Sequence, residues 1–210
     1  NKMTVQNIFV EGKILRPQEI DLTSQTQRYL MYDAVLTNDS SIVDGKGIGD
    51  PTEYALLQMF RSIHIKNNSF LKERGMHEDD IRTMETRIEE LPFDSDRKLM
   101  STKYLLHGVE TVLSKGAPDV LLNRCNRYRD EQGIHTLTDG VREEIRKRNK
   151  NFSENGLRVL AFAYKESDET LVLESEKELI FLGLVAMADP PRPESIEAIK
   201  KKKKAGIRPI

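Results

Sequence analysis

From residue 3 to residue 10 apolar positions alternate loosely with polar ones, Val5, Ile8 and Val10 being apolar, and Glu11-Gly12-Lys13 turns the chain back toward Ile14-Leu15. A period of two broken by a glycine turn predicts an antiparallel hairpin. Between residues 24 and 36 the period lengthens: Tyr29, Leu30, Tyr32, Asp33 and Leu36 recur at three- and four-residue intervals, which predicts a helix stopped by Thr37-Asn38-Asp39-Ser40. Asp44-Gly45-Lys46-Gly47-Ile48-Gly49 reads as a flexible loop, because its glycines are spaced for neither a Walker loop nor a dinucleotide fingerprint. Asp50-Pro51-Thr52-Glu53 opens a second helix that continues through Ala55, Leu56, Leu57, Met59 and Phe60. Asp50 suits the N-cap, Pro51 the first helical position, and Glu53 the place from which a capping-box acid reaches back to the cap's amide.

Residues 66–87 are highly polar, and His77-Glu78-Asp79-Asp80 is expected to cap a short surface helix there. Phe93 then follows a proline and precedes a charged turn, an unusual place for a core aromatic. Residues 99–107 predict a strand, Gly108 a hairpin turn and residues 109–113 the returning strand. If that hairpin forms, Phe93 and Lys115 can line one face of a sheet. The apolar run breaks at Ser114-Lys115-Gly116 and restarts as a short helix over residues 119–125 with Pro118 in its first turn, which leaves Lys115 at a strand end, free to face a ligand.

Gly133 marks a further turn, and Thr138-Asp139 caps a charged helix that stops near Asn155-Gly156. Its middle, residues 142–150, is expected to be a solvated face. Residues 157–164 carry apolar side chains on both faces, as a central strand does, with Arg158 the exception. A charged excursion over residues 171–177 leads to a second buried strand, residues 179–188. Pro190, Pro191 and Pro193 then stiffen the chain as a hinge would, and a helical pattern from Glu194 ends in lysines 200–204, expected as a solvated helix end.

Composition narrows the function classes. With 33 Lys and Arg against 34 Asp and Glu, the net charge of -1 supplies no field toward nucleic acid or an anionic membrane, so binding must come from a local site. Cys125 has no cysteine to pair with, and His64, His77, His107 and His135 lack metal-ligand spacing, so no metal site is expected. The longest apolar run is about half of a membrane span, so the polypeptide reads as soluble by itself. At 210 residues it is expected to be one domain plus part of a neighbour, an excised piece, since it lacks an initiator methionine and stops as a strand begins at Gly206-Ile207-Arg208-Pro209-Ile210. Two residues carry candidate chemistry. Lys115 is either an ordinary solvated lysine or a cation aimed at a ligand, and Glu53 either completes a capping box or accepts a hydrogen bond from a ligand amine at a positive helix end.

Six stretches taken together match one family in order: Asn1-Lys2-Met3-Thr4-Val5, Gly49-Asp50-Pro51-Thr52-Glu53, Pro92-Phe93 with Arg97-Lys98, Lys115-Gly116-Ala117-Pro118, Gly156-Leu157-Arg158-Val159-Leu160, and Asp189-Pro190-Pro191-Arg192. The chain resembles the cytoplasmic nucleotide-binding domain of P-type cation-transporting ATPases, in particular the calcium-transporting branch. The resemblance implies an α+β fold, a twisted and mainly antiparallel sheet flanked by helices. Residues 1–5 would be a remnant of the phosphorylation domain, 6–188 the nucleotide-binding domain, and 189–210 the hinge, with Asp189 and Arg192, and the start of the phosphorylation domain again.

It implies site residues as well. Phe93 would stack on adenine, Glu53 sit near the adenine amine, Lys115 lie deep in the pocket, Lys98 face the phosphates and Arg158 pair with them, while Thr52, Gly116 and Leu160 form pocket wall. Calcium-branch members often carry arginine where Ser95 stands, so Arg97 or Lys98 is expected to take up that phosphate contact. Stacking of about 1–3 kcal/mol plus cations in a wet cleft gives an expected affinity between roughly 1 mM and tens of micromolar. The ligand would be ATP, with Mg2+ in the full-length protein, and the partners the phosphorylation and actuator domains of the same chain. The phosphorylated aspartate and the loops that hold magnesium would lie outside these residues, so the piece, expected to be a monomer, binds ATP without turnover. A sodium- or manganese-type pump, or a nucleotide-free interaction domain using residues 142–150, remains the alternative.

Overall fold

The computed structural model describes residues 3–64, 81–82 and 86–189. The expected cap at 77–80, the Asn1-Lys2 pair, the prolines and Arg192 of the hinge, and the lysine-rich segment lie outside the described residues.

The first hairpin forms as expected, β1 (Thr4–Val10) against β2 (Lys13–Leu15), with Glu11 and Gly12 at φ of 53° and 72° in its turn. Helix α1 (Gln25–Leu36) starts where the Ser24 hydroxyl accepts the Gln27 amide at 3.3 Å. The glycine-rich stretch departs from expectation: it is a small hairpin, β3 (Ser41–Val43) and β4 (Lys46–Ile48), turning at Asp44-Gly45. Gly47 is needed there, since a Cβ would lie 2.3 Å from the Tyr54 ring, so this glycine allows close packing against helix α2 (Pro51–His64).

Strands β5 (Arg87–Asp94), β6 (Leu99–Leu106) and β7 (Val109–Gly116) form a meander. Helix α3 (Pro118–Asn123) ends sooner than expected because Cys125 already opens β8 (Cys125–Asp130), which hairpins with β9 (Gly133–Thr136). That polar hairpin has no apolar alternation to announce it. Helix α4 (Asp139–Glu154) is capped by Thr138 and stopped at Gly156, where Gly156 N donates to Ser153 O and Leu157 N to Phe152 O at 3.0 and 3.1 Å. Its middle is less solvated than expected, for Ile145 is buried and Arg142 donates to the carbonyls of Leu122 and Cys125 at 2.5 and 3.0 Å.

Strands β10 (Arg158–Glu166) and β11 (Leu179–Ala188) occupy the middle of a nine-stranded sheet of order β2-β1-β11-β10-β7-β6-β5, as their two apolar faces require. Every pairing in that path is antiparallel; β8 joins parallel to the start of β11. The resulting fold is the helix-flanked, mainly antiparallel α+β sheet expected. One face, with Leu113, Phe162 and Tyr164, packs on α1 and α2; the other, with Leu99, Ala161 and Ala163, packs on α3 and α4. Gly183 is required at the centre, because a Cβ would lie 2.4 Å from the Phe9 carbonyl and 2.6 Å from Leu30.

Candidate functional site

Lys115 is the first correction that the fold makes. Strand β7 does not stop at Leu113 but runs to Gly116, and Lys115 pairs with Met100 on one side and Phe162 on the other. A residue inside a ladder projects its side chain to one face. Here that face carries α1 and α2, so Lys115 is 5% exposed rather than free at a strand end. Its Nζ donates to Glu53 Oε1 at 2.5 Å. Burial pulls the ammonium below the ordinary lysine value, with Glu53 and then Asp33 and Asp39 opposing.

Glu53 is the second. Asp50 caps α2, accepting the amides of Thr52 and Glu53 at 2.8 and 3.2 Å, and Pro51 opens the helix. The capping box does not close, however. The Glu53 carboxylate turns away to accept Lys115, the Asp39 amide at 3.0 Å and the Ser40 hydroxyl at 3.3 Å. Bonding to a buried ammonium outcompetes a solvated amide. A carboxylate offers about four acceptor directions, so three filled ones leave room for one more donor.

The junction of α1 with α2 fixes this pair. The Asn38 amide donates to Ala34 O at 3.0 Å and Glu53 O at 2.9 Å, tying one helix end to the other's start. Arg82 donates to the carbonyls of Val35, Asn38 and Ser40, while Arg87 and Tyr104 reach Leu36 O at 2.8 and 3.1 Å. These groups satisfy the carbonyls at a buried helix end that would otherwise lack partners. Beneath them lies Asp33, fully buried, its carboxyl oxygens making no well-formed hydrogen bond among the described residues, with the Thr37 hydroxyl and the Ala163 and Ser114 amides as its polar neighbours. Burial pushes its carboxyl well above the usual range, only partly offset by the Thr37 hydroxyl and Lys115. Sequence reading missed Asn38, Asp39 and Ser40 as site residues, seeing only a helix stop, and Asp33 as anything but a periodic position.

Phe93 lies on edge strand β5, 61% exposed. A bulge between Leu91, opposite Ser101, and Asp94, opposite Leu99, sets Pro92 and Phe93 together across from Met100, whose other neighbour is Lys115. Phe93 and Lys115 thus belong to neighbouring positions of the meander. Lys98 is exposed at the turn after Phe93, held at φ 58° with its amide on Asp94 O at 2.6 Å. Arg97 is turned inward instead, to Glu176 and Pro92 O, each at 2.5 Å, which leaves Lys98 as the exposed cation of the two. Gly116 lets these segments meet: a Cβ there would lie 2.2 Å from Lys98 O.

Strand alternation puts Arg158, Leu160 and Phe162 on the face that Lys115 shares. Arg158 is exposed, Leu160 half-buried against the core beneath α1 and α2, and Thr52 5% exposed in the first turn of α2. The eight expected residues therefore come from the start of α2, β5 and its turn, the end of β7 and the start of β10. Among the described residues no group of three acidic, histidine or cysteine side chains could hold a metal ion. Such an arrangement, one exposed ring, cations at graded depth and one carboxylate, suits a flat base joined to a polyanion.

Residues 26–194 match the model of the family described as P-type ATPase, cytoplasmic domain N. The chain is 40% identical over its whole length to calcium-transporting ATPase 1 of Lactococcus lactis and 39% identical over its whole length to a calcium-transporting ATPase of Listeria monocytogenes. Over 91% of its length it is 30% identical to sodium/potassium exporting P-type ATPase 1 of Saccharomyces cerevisiae. It spans 23% of the length of the two bacterial relatives and 21% of the yeast one.

Proposed function

Because the chain belongs to the family of P-type ATPase cytoplasmic N domains, we propose that it binds ATP on the sheet face beneath the start of α2 and presents the terminal phosphate to an aspartate outside these 210 residues. The observation that carries this reading is that buried Lys115, bonded to half-buried Glu53, lies one strand away from the edge bearing exposed Phe93 and Lys98 and shares its sheet face with exposed Arg158. Phe93 stacks on adenine, whose amine takes the acceptor direction left on Glu53. Lys115 neutralises charge from the pocket floor, Lys98 and Arg158 hold the phosphates, and Thr52, Gly116 and Leu160 shape the wall.

In the whole protein this binding serves cation transport, of calcium on the likeness to the bacterial relatives. The likeness to a yeast sodium/potassium exporter keeps a different ion as the second reading, since the ion is chosen in membrane segments outside this chain. Magnesium arrives with the triphosphate, and hinge closure at residues 189–210 brings nucleotide to the phosphorylation domain for in-line transfer, where positioning and charge neutralisation supply the catalysis.

The test is a calorimetric or NMR titration of the chain with ATP, alongside Phe93→Ala and Lys115→Met. Saturable binding between micromolar and millimolar is expected. Loss of the stacking ring should weaken it about 5- to 100-fold while the fold survives. Binding by wild type that neither substitution changes would refute the site; absence of binding both here and in the full cytoplasmic region would refute the function.

A further inference from the structure

The segment 167–178, in sequence only a charged excursion, crosses the sheet face turned away from Lys115. Polar anchors hold it there: Ser167 N on Glu110 O at 3.0 Å, Lys103 Nζ on Glu169 O at 3.0 Å, Leu171 N on Glu89 Oε2 at 2.5 Å, and Lys165 Nζ on Ser175 O at 2.6 Å. The last anchor is Glu176, which is 0% exposed. Its Oε1 accepts both Arg97 Nη1 and the Ser101 hydroxyl at 2.5 Å, and Ser101 in turn meets the Ser114 hydroxyl at 2.7 Å. Its Oε2 is buried with no partner among the described residues.

Arg97 has a second bond. Its Nη2 donates to Pro92 O at 2.5 Å, the carbonyl of the peptide that leads into Phe93. Between those points the turn is closed on itself, Asp94 Oδ1 accepting the amides of Asp96 and Arg97 at 3.0 and 2.8 Å. The ladder holds this stretch poorly: β5 is an edge strand, Pro92 has no amide to donate, and the bulge leaves Pro92 and Phe93 out of register. A buried ion pair is no strong stabiliser against an apolar replacement. What this one does is geometric, since a guanidinium fork fixes two acceptors in one plane.

We propose that Glu176 is a positioning residue for the nucleotide: through Arg97 it fixes the peptide before Phe93, and with it the attitude of the ring and the placement of Lys98. The inference rests on the nucleotide-binding reading above. Phe93 then needs no packing of its own to be held, which accounts for an aromatic that is exposed yet set in one place.

A double-mutant cycle tests it, with ATP titrated into wild type, Glu176→Gln, Phe93→Ala and the double variant, each checked by thermal unfolding. Glu176→Gln keeps an acceptor for Ser101 and loses the charge that holds Arg97. It should weaken ATP binding about threefold or more, shift the amide resonances of residues 94–98 without nucleotide, and cost far less in the Phe93→Ala background, as coupled residues do. Wild-type affinity in Glu176→Gln, or the same fold-loss in both backgrounds, overturns the proposal. Should Glu176→Gln fail to fold, Arg97→Lys replaces it in the cycle, keeping the charge while unable to bridge both acceptors. A Phe93→Ala protein that binds ATP like wild type defeats the stacking role of Phe93 and this proposal with it, whereas absence of ATP binding by wild type is the separate failure of the nucleotide reading.

Discussion

Asp33→Asn is a sharp test of how the site's floor is built. The Asp33 carboxyl is fully buried, makes no well-formed hydrogen bond at either oxygen among the described residues, and is pushed by burial well above its ordinary value of 3.8, against a smaller opposing pull from Thr37, Lys115 and the Ala163 and Ser114 amides. Between 3.8 and that raised value the folded chain holds a proton that the unfolded chain has released. The group's contribution to stability is therefore fully present below its unfolded pKa and is lost as pH rises toward the folded one. Each pH unit that lies inside the window removes up to about 1.4 kcal/mol through this one group. Asparagine has the same shape and nothing to titrate. Urea unfolding of both proteins at pH 5 and pH 7, followed by circular dichroism, should show the stability difference moving in favour of the variant as pH rises, by up to about 1.4 kcal/mol for each pH unit inside the window. The absolute stability of the variant also contains the amide's own hydrogen bonding, so the change between the two pH values is the quantity that decides. Parallel pH dependences would refute the reasoning and mean that Asp33 is ionised in the fold, in partnership with Lys115.

Two further outcomes follow from packing. Gly116→Ala puts a Cβ 2.2 Å from Lys98 O and 3.0 Å from Leu99 Cα, backbone that cannot give way; denaturant unfolding should show a loss of about 2 kcal/mol or more, and ATP affinity should fall with it as the Lys98 turn moves. The Cys125 thiol is buried and pushed up to about 12 by that burial, so it should resist a thiol reagent at pH 8 in the native chain and react at once in denaturant; rapid native labelling would contradict the packing of α3 on the sheet.

Much of this protein was legible in one dimension, because local chemistry decided it. The Asp50 and Thr138 caps, the stop at Gly156 and the turn at Gly108 each depend on residues within a few positions of one another, and all form as read. The central strands β10 and β11 announce themselves because apolar residues on both faces have no other use than burial on both faces. The order of six short motifs was enough to point to the family.

What only tertiary structure decided is where side chains with several possible partners send their bonds. Glu53 had a local partner in its own cap and a distant one in Lys115, and the distant one prevails because a buried ammonium binds a carboxylate more strongly than a solvated amide does. Arg97 and Lys98 are neighbours with equal charge, yet one turns inward because Glu176, 79 residues further along, waits behind the sheet. Asp33 looks like any periodic helix position until the closing of β7 and β10 over it removes its water. Sequence fixes what a residue can do within its own turn or strand; which distant group it meets, and whether water remains between them, is set when the sheet brings its strands together.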